Sequence, residues 1–134
     1  MRMADRRQIA AVYVGGAVGS LMRAFVGQQI PWSVGEWPWA TFTVNVAGCA
    51  LLGYFTTRLQ EQLPVSAYRR PLLGSGLCGG LTTFSTLQLE LIRMLDAHYY
   101  LLAIAYGATS VVIGFSAVHL TTVLVRHGRI RVAP

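Results

Sequence analysis

The sequence is poor in charged residues and poorest in acidic ones. Charged side chains make up 12% of its 134 residues, and only five are Asp or Glu, whereas soluble domains usually carry about 25% charged residues. Hydrophobic residues account for 54% of the chain. This composition excludes an ordinary soluble domain and indicates a protein that lies within a membrane.

Lysine is absent, and cysteine occurs only twice. The eleven basic residues are all arginines, and the formal net charge is +6. Most of these arginines lie beside the ends of apolar stretches, which favours headgroup anchoring over nucleic-acid binding. Cys49 and Cys78 show no metal-ligand spacing such as CxxC, so we interpret them as small packing residues.

Four apolar stretches are long enough to cross the hydrocarbon core, which takes about 20 helical residues. They comprise residues 9–30, 40–57, 71–92 and 99–125. The first is too long for a signal peptide and contains Arg23, so we expect it to be retained. The short connections leave no room for a catalytic lobe. The sequence therefore predicts one all-α membrane domain of four spans that is not an enzyme.

The arginines are distributed unevenly between the two ends of these spans. One end receives those of the N-terminus, the middle loop and the C-terminus: Arg2, Arg6, Arg7, Arg58, Arg69, Arg70, Arg126, Arg129 and Arg131. The other end has Arg93 and, if its side chain points that way, Arg23. The positive-inside rule predicts both termini in the cytoplasm of a multi-pass protein of the inner, or plasma, membrane.

The first two spans carry polar or small residues at helical spacing. Gly15 and Gly19 form a GxxxG motif, which predicts close approach of another helix. Arg23 predicts either an interfacial anchor or a positively charged vestibule. In the second span, Thr41 and Asn45 lie four residues apart on one helical face. Asn45 either joins two helices or offers its amide donors to an anion.

The third span contains the run GLCGGLTTFSTLQLE, residues 76–90. Its glycines weaken a helix, and Thr82 and Thr83 compete for backbone hydrogen bonds. We expect a break near residues 79–83, whose freed carbonyls need a partner such as a monovalent cation. Glu90 is either an interfacial carboxylate that pairs with Arg93 or a functional group inside the membrane.

The fourth span places Tyr106, Ser110 and Gly114 at successive steps of four residues. This spacing gives a narrow polar stripe on an apolar helix. His119 lies beyond the stripe, and we assign it no role. Hydroxyl and amide donors outnumber carboxylates across the four spans, which favours a small anion as the permeant species. Phe84 either packs or presents its positive ring edge to that anion.

Three runs together resemble the Fluc or CrcB family of small bacterial fluoride channels. They are GLCGGLTTFSTL, TFTVNVAGC and GGAVGSLMR, and the resemblance covers all four spans. It implies passive export of fluoride through two pores, which lie along the interface of an antiparallel, dual-topology dimer of four-span subunits. It also implies a structural Na+ at the dimer centre, bound by the backbone carbonyls of Gly79 and Thr82 from each subunit.

The same resemblance implies roles for individual residues of the fluoride pathway. Asn45 would donate to fluoride, and Phe84 would be the first of two pore phenylalanines, the second being Leu87 here. Matching positions further along the path are Thr41, Ser85 and Glu90 near one end, Tyr106 and Ser110 on the fourth span, and Arg23 on the first. Gly114 takes the place of a further hydroxyl.

Three alternatives stay open from the sequence, and one of them is a purely structural subunit of a larger assembly, which small-residue packing alone could support. A small multidrug antiporter also has four spans, but it needs a mid-membrane acid, typically in the first span, where this chain has Arg23. The arginine bias hinders insertion in both orientations. A heterodimer with an oppositely oriented paralogue is therefore the alternative to an antiparallel homodimer.

Overall fold

A computed structural model describes residues 6–64, 66 and 68–130 of the chain. Arg2 and Arg131, which the orientation argument counts, lie outside these residues. Over the described ranges the backbone is helical and contains no strand. The chain is thus an all-α protein, as its composition predicts.

The first and last helices are long and apolar. Helix α1 covers Arg6–Gln29 and helix α5 covers Tyr100–Ile130. By length and hydropathy, Arg6–Gln29 and Tyr100–Gly128 are the two helices in the described part of the chain that qualify to cross a membrane. Helix α5 continues past the predicted boundary at residue 125, because the arginine that follows Val125 is compatible with helical backbone.

Helix α2 covers Trp39–Thr57 and continues into a π-helical turn, Arg58–Gln62. It is 19 residues long, close to the length that a span requires. Polar residues such as Thr41 and Asn45 lower its hydropathy. The helix packs mainly against α5 along its length.

The third predicted span consists of several pieces. A π-helical segment, Pro71–Cys78, leads into the short helix α3, Gly79–Leu81. Thr82 and Thr83 are extended, with ψ angles of 152° and 116°, and helix α4 then covers Phe84–Asp96. At 13 residues, α4 is too short to span the bilayer alone.

Helix α1 lies directly against the Pro71–Cys78 segment and α3. A Cβ atom added to Gly15 would lie 3.0 Å from Gly76 Cα, and one added to Gly19 would lie 2.7 Å from the backbone nitrogen of Leu81. The two backbones therefore approach so closely that side chains are excluded between them. This confirms the close packing that the GxxxG motif predicts.

Side-chain contacts bring the basic regions of the chain to one end of the helices. Arg7 Nη1 donates to the hydroxyl of Tyr68 over 3.2 Å. Arg126 Nε donates to both carboxylate oxygens of Glu61, at 3.1 and 3.0 Å. The start of α1, the middle loop and the end of α5 thus lie together, as the arginine pattern predicts.

Candidate functional site

The candidate site has two levels, which lie one helical turn apart on the facing helices α2 and α5. Thr41 of α2 and Tyr106 of α5 belong to the first level, which we call the carboxylate level. Asn45 and Ser110, four residues further along the same helices, belong to the second, which we call the cavity level. One helical turn advances about 5.4 Å along the axis.

The carboxylate level is built around Glu90 of α4. Thr41 Oγ1 donates to Glu90 Oε1 over 2.6 Å, and the Tyr106 hydroxyl donates to Glu90 Oε2 over 2.7 Å. All three side chains are buried, and Tyr106 is 0% exposed. The carboxylate uses both oxygens inside the fold. Both hydrogen bonds run to side chains inside the fold, and within the described residues no salt bridge joins Glu90 to Arg93, the interfacial pair that the sequence leaves open.

The cavity level lies where the third span is interrupted. Asn45 Nδ2 donates to the carbonyl of Thr83 over 3.1 Å, and the backbone N–H of Thr83 donates to Asn45 Oδ1 over 2.7 Å. The side-chain amide thereby replaces both helical hydrogen bonds that Thr83 lacks in its extended conformation. Asn45 joins two segments, as one sequence interpretation expects, and its amide carries a second hydrogen.

The Thr83 side chain begins helix α4. Its Oγ1 accepts a hydrogen bond from the backbone N–H of Thr86 over 3.2 Å, which is N-terminal capping. Its hydroxyl also donates to Thr86 Oγ1 over 2.9 Å. Sequence reasoning omitted Thr83 from the candidate residues, although a threonine directly before a helical run is a preferred cap.

The hydrogen bonds to Asn45 and to the Thr83 hydroxyl take backbone donors away from two carbonyl groups, those of Gly79 and Thr82. In a continuous α-helix, the N–H of residue i donates to the carbonyl of residue i−4. The Thr83 N–H donates to Asn45, and so does not reach the carbonyl of Gly79 in the helical manner. The Thr86 N–H donates to Thr83 Oγ1, and so is diverted from the carbonyl of Thr82. Carbonyls released from helical pairing suit a hard cation such as Na+.

Arg23 contacts the same region from helix α1. Its Nε donates to the carbonyl of Gly80 over 3.2 Å. This carbonyl lies at the C-terminal end of α3, where the helix dipole favours a cation. The guanidinium is partly buried and pairs with backbone at the interruption. Within the described residues, no three His, Cys, Asp or Glu side chains are close enough to bind a metal.

A cavity of about 390 Å³ adjoins the interruption. Its lining residues are Asn45, Gly48, Cys49, Leu52, Gly74, Cys78, Gly79, Thr82, Thr83, Phe84, Leu87, Ser110 and Val111. They include neither an acid nor an arginine. Ser110 Oγ is buried, and no partner among the described residues reaches it. A buried hydroxyl that no protein group satisfies remains available to a small ligand or a water.

Phe84 and Leu87, the positions that match the family's two pore phenylalanines, differ in exposure. The ring of Phe84 is 72% exposed at the mouth of the cavity, whereas Leu87 is 9% exposed. Leu87 both lines the cavity and packs in the buried cluster that contains Tyr106. This leucine therefore links the two levels through apolar contact, without offering a ring edge.

Ser85 and His119 lie apart from the carboxylate level. Ser85 is exposed, and its Oγ lies 3.4 Å from Thr83 Oγ1 instead of contacting Glu90. The His119 ring stacks on Phe115, with centroids 6.4 Å apart, on an exposed face of α5. The resemblance groups Thr41, Ser85 and Glu90 near one end of the path. The structure joins Thr41 to Glu90, whereas Ser85 lies beside Thr83, the N-cap of α4.

The family model and the similar proteins all indicate the same family. Residues 10–122 match the family described as CrcB-like protein, Camphor Resistance (CrcB). "Fluoride-specific ion channel FluC 1" of Mycolicibacterium paratuberculosis is 56% identical over 131 residues, covering 98% of this chain and 99% of that protein. Its namesake in Mycobacterium bovis is 58% identical over 127 residues, covering 95% and 96%. "Fluoride-specific ion channel FluC 2" of Streptomyces avermitilis is 37% identical over 102 residues, covering 76% and 65%.

Proposed function

The chain belongs to the CrcB family, and from this membership we propose that it is a fluoride-selective channel that exports fluoride passively from the cytoplasm. Relatives that are 56% and 58% identical over nearly the whole chain are named fluoride-specific ion channels. The alternative of a proton-coupled cation antiporter finds no support among these relatives. We place the channel in the inner, or plasma, membrane as a multi-pass protein.

The observation that carries the proposal from the structure is a cavity lined by no acid of the described residues, beside which the Ser110 hydroxyl is buried without a partner in that part of the chain. An unpaired ion in a medium of low dielectric constant costs tens of kcal/mol on the idealised Born scale. A permeating anion therefore needs donors in place of its hydration shell. Asn45 supplies an amide donor there and Ser110 a hydroxyl, without a repelling carboxylate, whereas the Thr82 hydroxyl donates to the carbonyl of Cys78.

We propose that fluoride passes from the cavity level towards the carboxylate level along α2 and α5. Asn45, Phe84 and Ser110 contact the ion at the cavity, and Leu87 forms an apolar wall. Arg23 lies beside the interruption and supplies positive charge. The remaining pathway residues, nearer one end, are Thr41, Ser85, Glu90 and Tyr106. The membrane potential assists export with about 2.3 kcal/mol per charge per 100 mV.

We further propose that two copies form an antiparallel homodimer with two pores along their interface. Interrupted backbone is unfavourable against lipid, because acyl chains offer no hydrogen bonds. The exposed ring of Phe84 and the exposed backbone of Gly79 flank the cavity at the interruption. A second copy that covers this face would remove both from lipid.

The arginine bias makes a heterodimer with an oppositely oriented paralogue the alternative partner. Labelling of a single engineered cysteine, with the protein expressed alone, separates the two. Labelling from both sides of the membrane supports the homodimer. Labelling from one side, without any dimer, supports the paired paralogue.

A structural Na+ at the dimer centre completes the proposal. The carbonyls of Gly79 and Thr82 from each copy would bind it, since the hydrogen bonds that would pair them in a helix go elsewhere. When bound, the ion neutralises carbonyl dipoles that would otherwise face each other across the interface. The expected result is a dimer that is more stable in NaCl than in an equal concentration of choline chloride.

Fluoride efflux from liposomes tests the function. Purified protein is reconstituted with KF inside, and valinomycin is added without a pH gradient while a fluoride electrode records release. The channel proposal predicts release on addition of valinomycin, with chloride retained in a parallel preparation. Fluoride that stays trapped until detergent is added would overturn it, and uptake of a cationic dye coupled to protons would favour the antiporter.

A further inference from the structure

Trp37 lies immediately before helix α2, where the chain is held tightly. The backbone N–H of Trp39 donates to the carbonyl of Trp37 over 2.8 Å, and that of Phe42 donates to Pro38 over 2.9 Å. Pro38, between the two tryptophans, is almost completely buried. The backbone of Trp37 is therefore fixed relative to the first turn of α2.

The indole ring of Trp37 packs between α2 and α5. Its centroid lies 5.4 Å from that of Tyr106 at an interplanar angle of 79°, and 5.5 Å from that of Phe42 at 78°. Both are edge-to-face contacts, which are favourable because the positive edge of one ring meets the negative face of the other. Trp37 thus packs against the Tyr106 ring from the side of α2 and restricts the swing of that ring about χ1.

The χ1 rotamer of Tyr106 decides where its hydroxyl lies, because the phenolic oxygen is on the χ2 axis and does not move when the ring turns about that axis. That hydroxyl donates to Glu90 over 2.7 Å, while Thr41 occupies the other carboxylate oxygen. A swing of the side chain to another χ1 rotamer would carry the hydroxyl away and leave a buried carboxylate oxygen without a donor, which is unfavourable. The carboxylate level therefore depends on whatever holds this ring in place.

We propose that Trp37 is a positioning residue of the fluoride pathway, which acts by holding the Tyr106 hydroxyl on Glu90 through ring contact. This inference rests on the proposed channel function. The indole N–H of Trp37 is buried, and no partner among the described residues accepts from it. The ring, and not this N–H, carries the contact with Tyr106.

The test compares fluoride efflux for Trp37→Phe and Trp37→Leu in liposomes. Leucine removes both edge-to-face contacts, and efflux should fall by roughly tenfold, the factor that corresponds to the upper range for such a ring pair. Phenylalanine keeps a ring but has no N–H, and efflux should stay within about twofold of the wild type. Trp39→Leu is the matched control, since Trp39 is 57% exposed and meets the ring of Trp37 at a tilted angle and that of Phe42 edge to face.

A second background shows whether Trp37 acts through the Tyr106 hydroxyl. In a Tyr106→Phe protein that hydroxyl is absent, and Trp37→Leu should cause no further loss of efflux. An equal loss in both backgrounds would overturn the proposal, as would a Trp37→Phe variant as slow as Trp37→Leu. If Trp37→Leu does not fold, Trp37→Met keeps the bulk without a ring and takes its place. Failure of the channel function itself is distinct, because the wild type would then release no fluoride.

Discussion

The two levels of the site use the same pair of helices in opposite ways. At the carboxylate level, Thr41 and Tyr106 direct their hydroxyls inward and satisfy both oxygens of Glu90. At the cavity level, one turn away, Ser110 keeps a buried hydroxyl that no described residue satisfies, beside an interruption in the third span. Polar groups that are mutually satisfied stabilise the fold, whereas those left open are available to an ion.

The largest effect is expected from Asn45→Asp, which changes the cavity level. The change removes the amide donor to Thr83 and places a negative charge beside the cavity. Fluoride efflux should fall by about 100-fold, which is typical of losing one well-placed donor to an anion. Gln28→Glu, the same chemical change at an exposed position of α1, should leave efflux unchanged. Normal efflux through Asn45→Asp would remove Asn45 from the pathway.

Gly79→Val tests whether a second copy covers the cavity face. A Cβ atom at Gly79 meets nothing within 4 Å among the described residues, and the same holds at Gly27. A large difference between valine at these two positions would therefore point to a contact outside the chain. Overpacking against a partner copy should weaken the dimer by about 1–3 kcal/mol, as measured by the monomer fraction on dilution in detergent. Gly27→Val should dimerise normally, and equal behaviour of both variants would argue against the proposed interface.

Tyr106→Phe tests the carboxylate level, where the hydroxyl of Tyr106 donates to Glu90. It leaves one buried oxygen of Glu90 without its donor, so the free energy of unfolding should fall by about 1–3 kcal/mol. Chemical denaturation in detergent, followed by circular dichroism, measures this change. Tyr13→Phe removes a hydroxyl from a side chain that is 76% exposed and should have no effect. If the two variants were equally stable, Glu90 would not depend on the Tyr106 hydroxyl.

The smallest effect is expected at the exposed ion pair between Arg126 and Glu61, which belongs to neither level. The two side chains are 58% and 37% exposed, and exposed pairs contribute little to stability. Arg126→Gln should leave both the thermal unfolding midpoint and fluoride efflux unchanged within error. A loss of efflux would show that charge at this end of the helices contributes to conduction.

Much of this arrangement follows from local sequence patterns. The spacing of Thr41 and Asn45 predicts their common face, and the GxxxG motif predicts the close approach of α1 to the third span. These are repeats of one helical turn, which the sequence displays directly. Helix boundaries were less predictable, because residues 93–96 remain helical after the apolar run has ended.

Other contacts depend on how distant segments meet. Asn45 bonds to both backbone groups of Thr83, 38 residues away in the chain, and no local pattern specifies that partner. Trp37 lies in a connection, where periodicity gives no signal, yet it contacts Tyr106. Ser85 lies on α4 with Glu90 but does not reach it, because positions i and i+5 of an α-helix do not lie on the same face.

A structure determined in lipid nanodiscs with fluoride and Na+ present tests the central claim most directly. We predict extended backbone at Thr82 and Thr83, a second copy over the cavity face, and fluoride density beside the amide of Asn45. A third span that runs as one continuous helix, with its glycines and threonines against acyl chains and no anion near Asn45, would contradict the account.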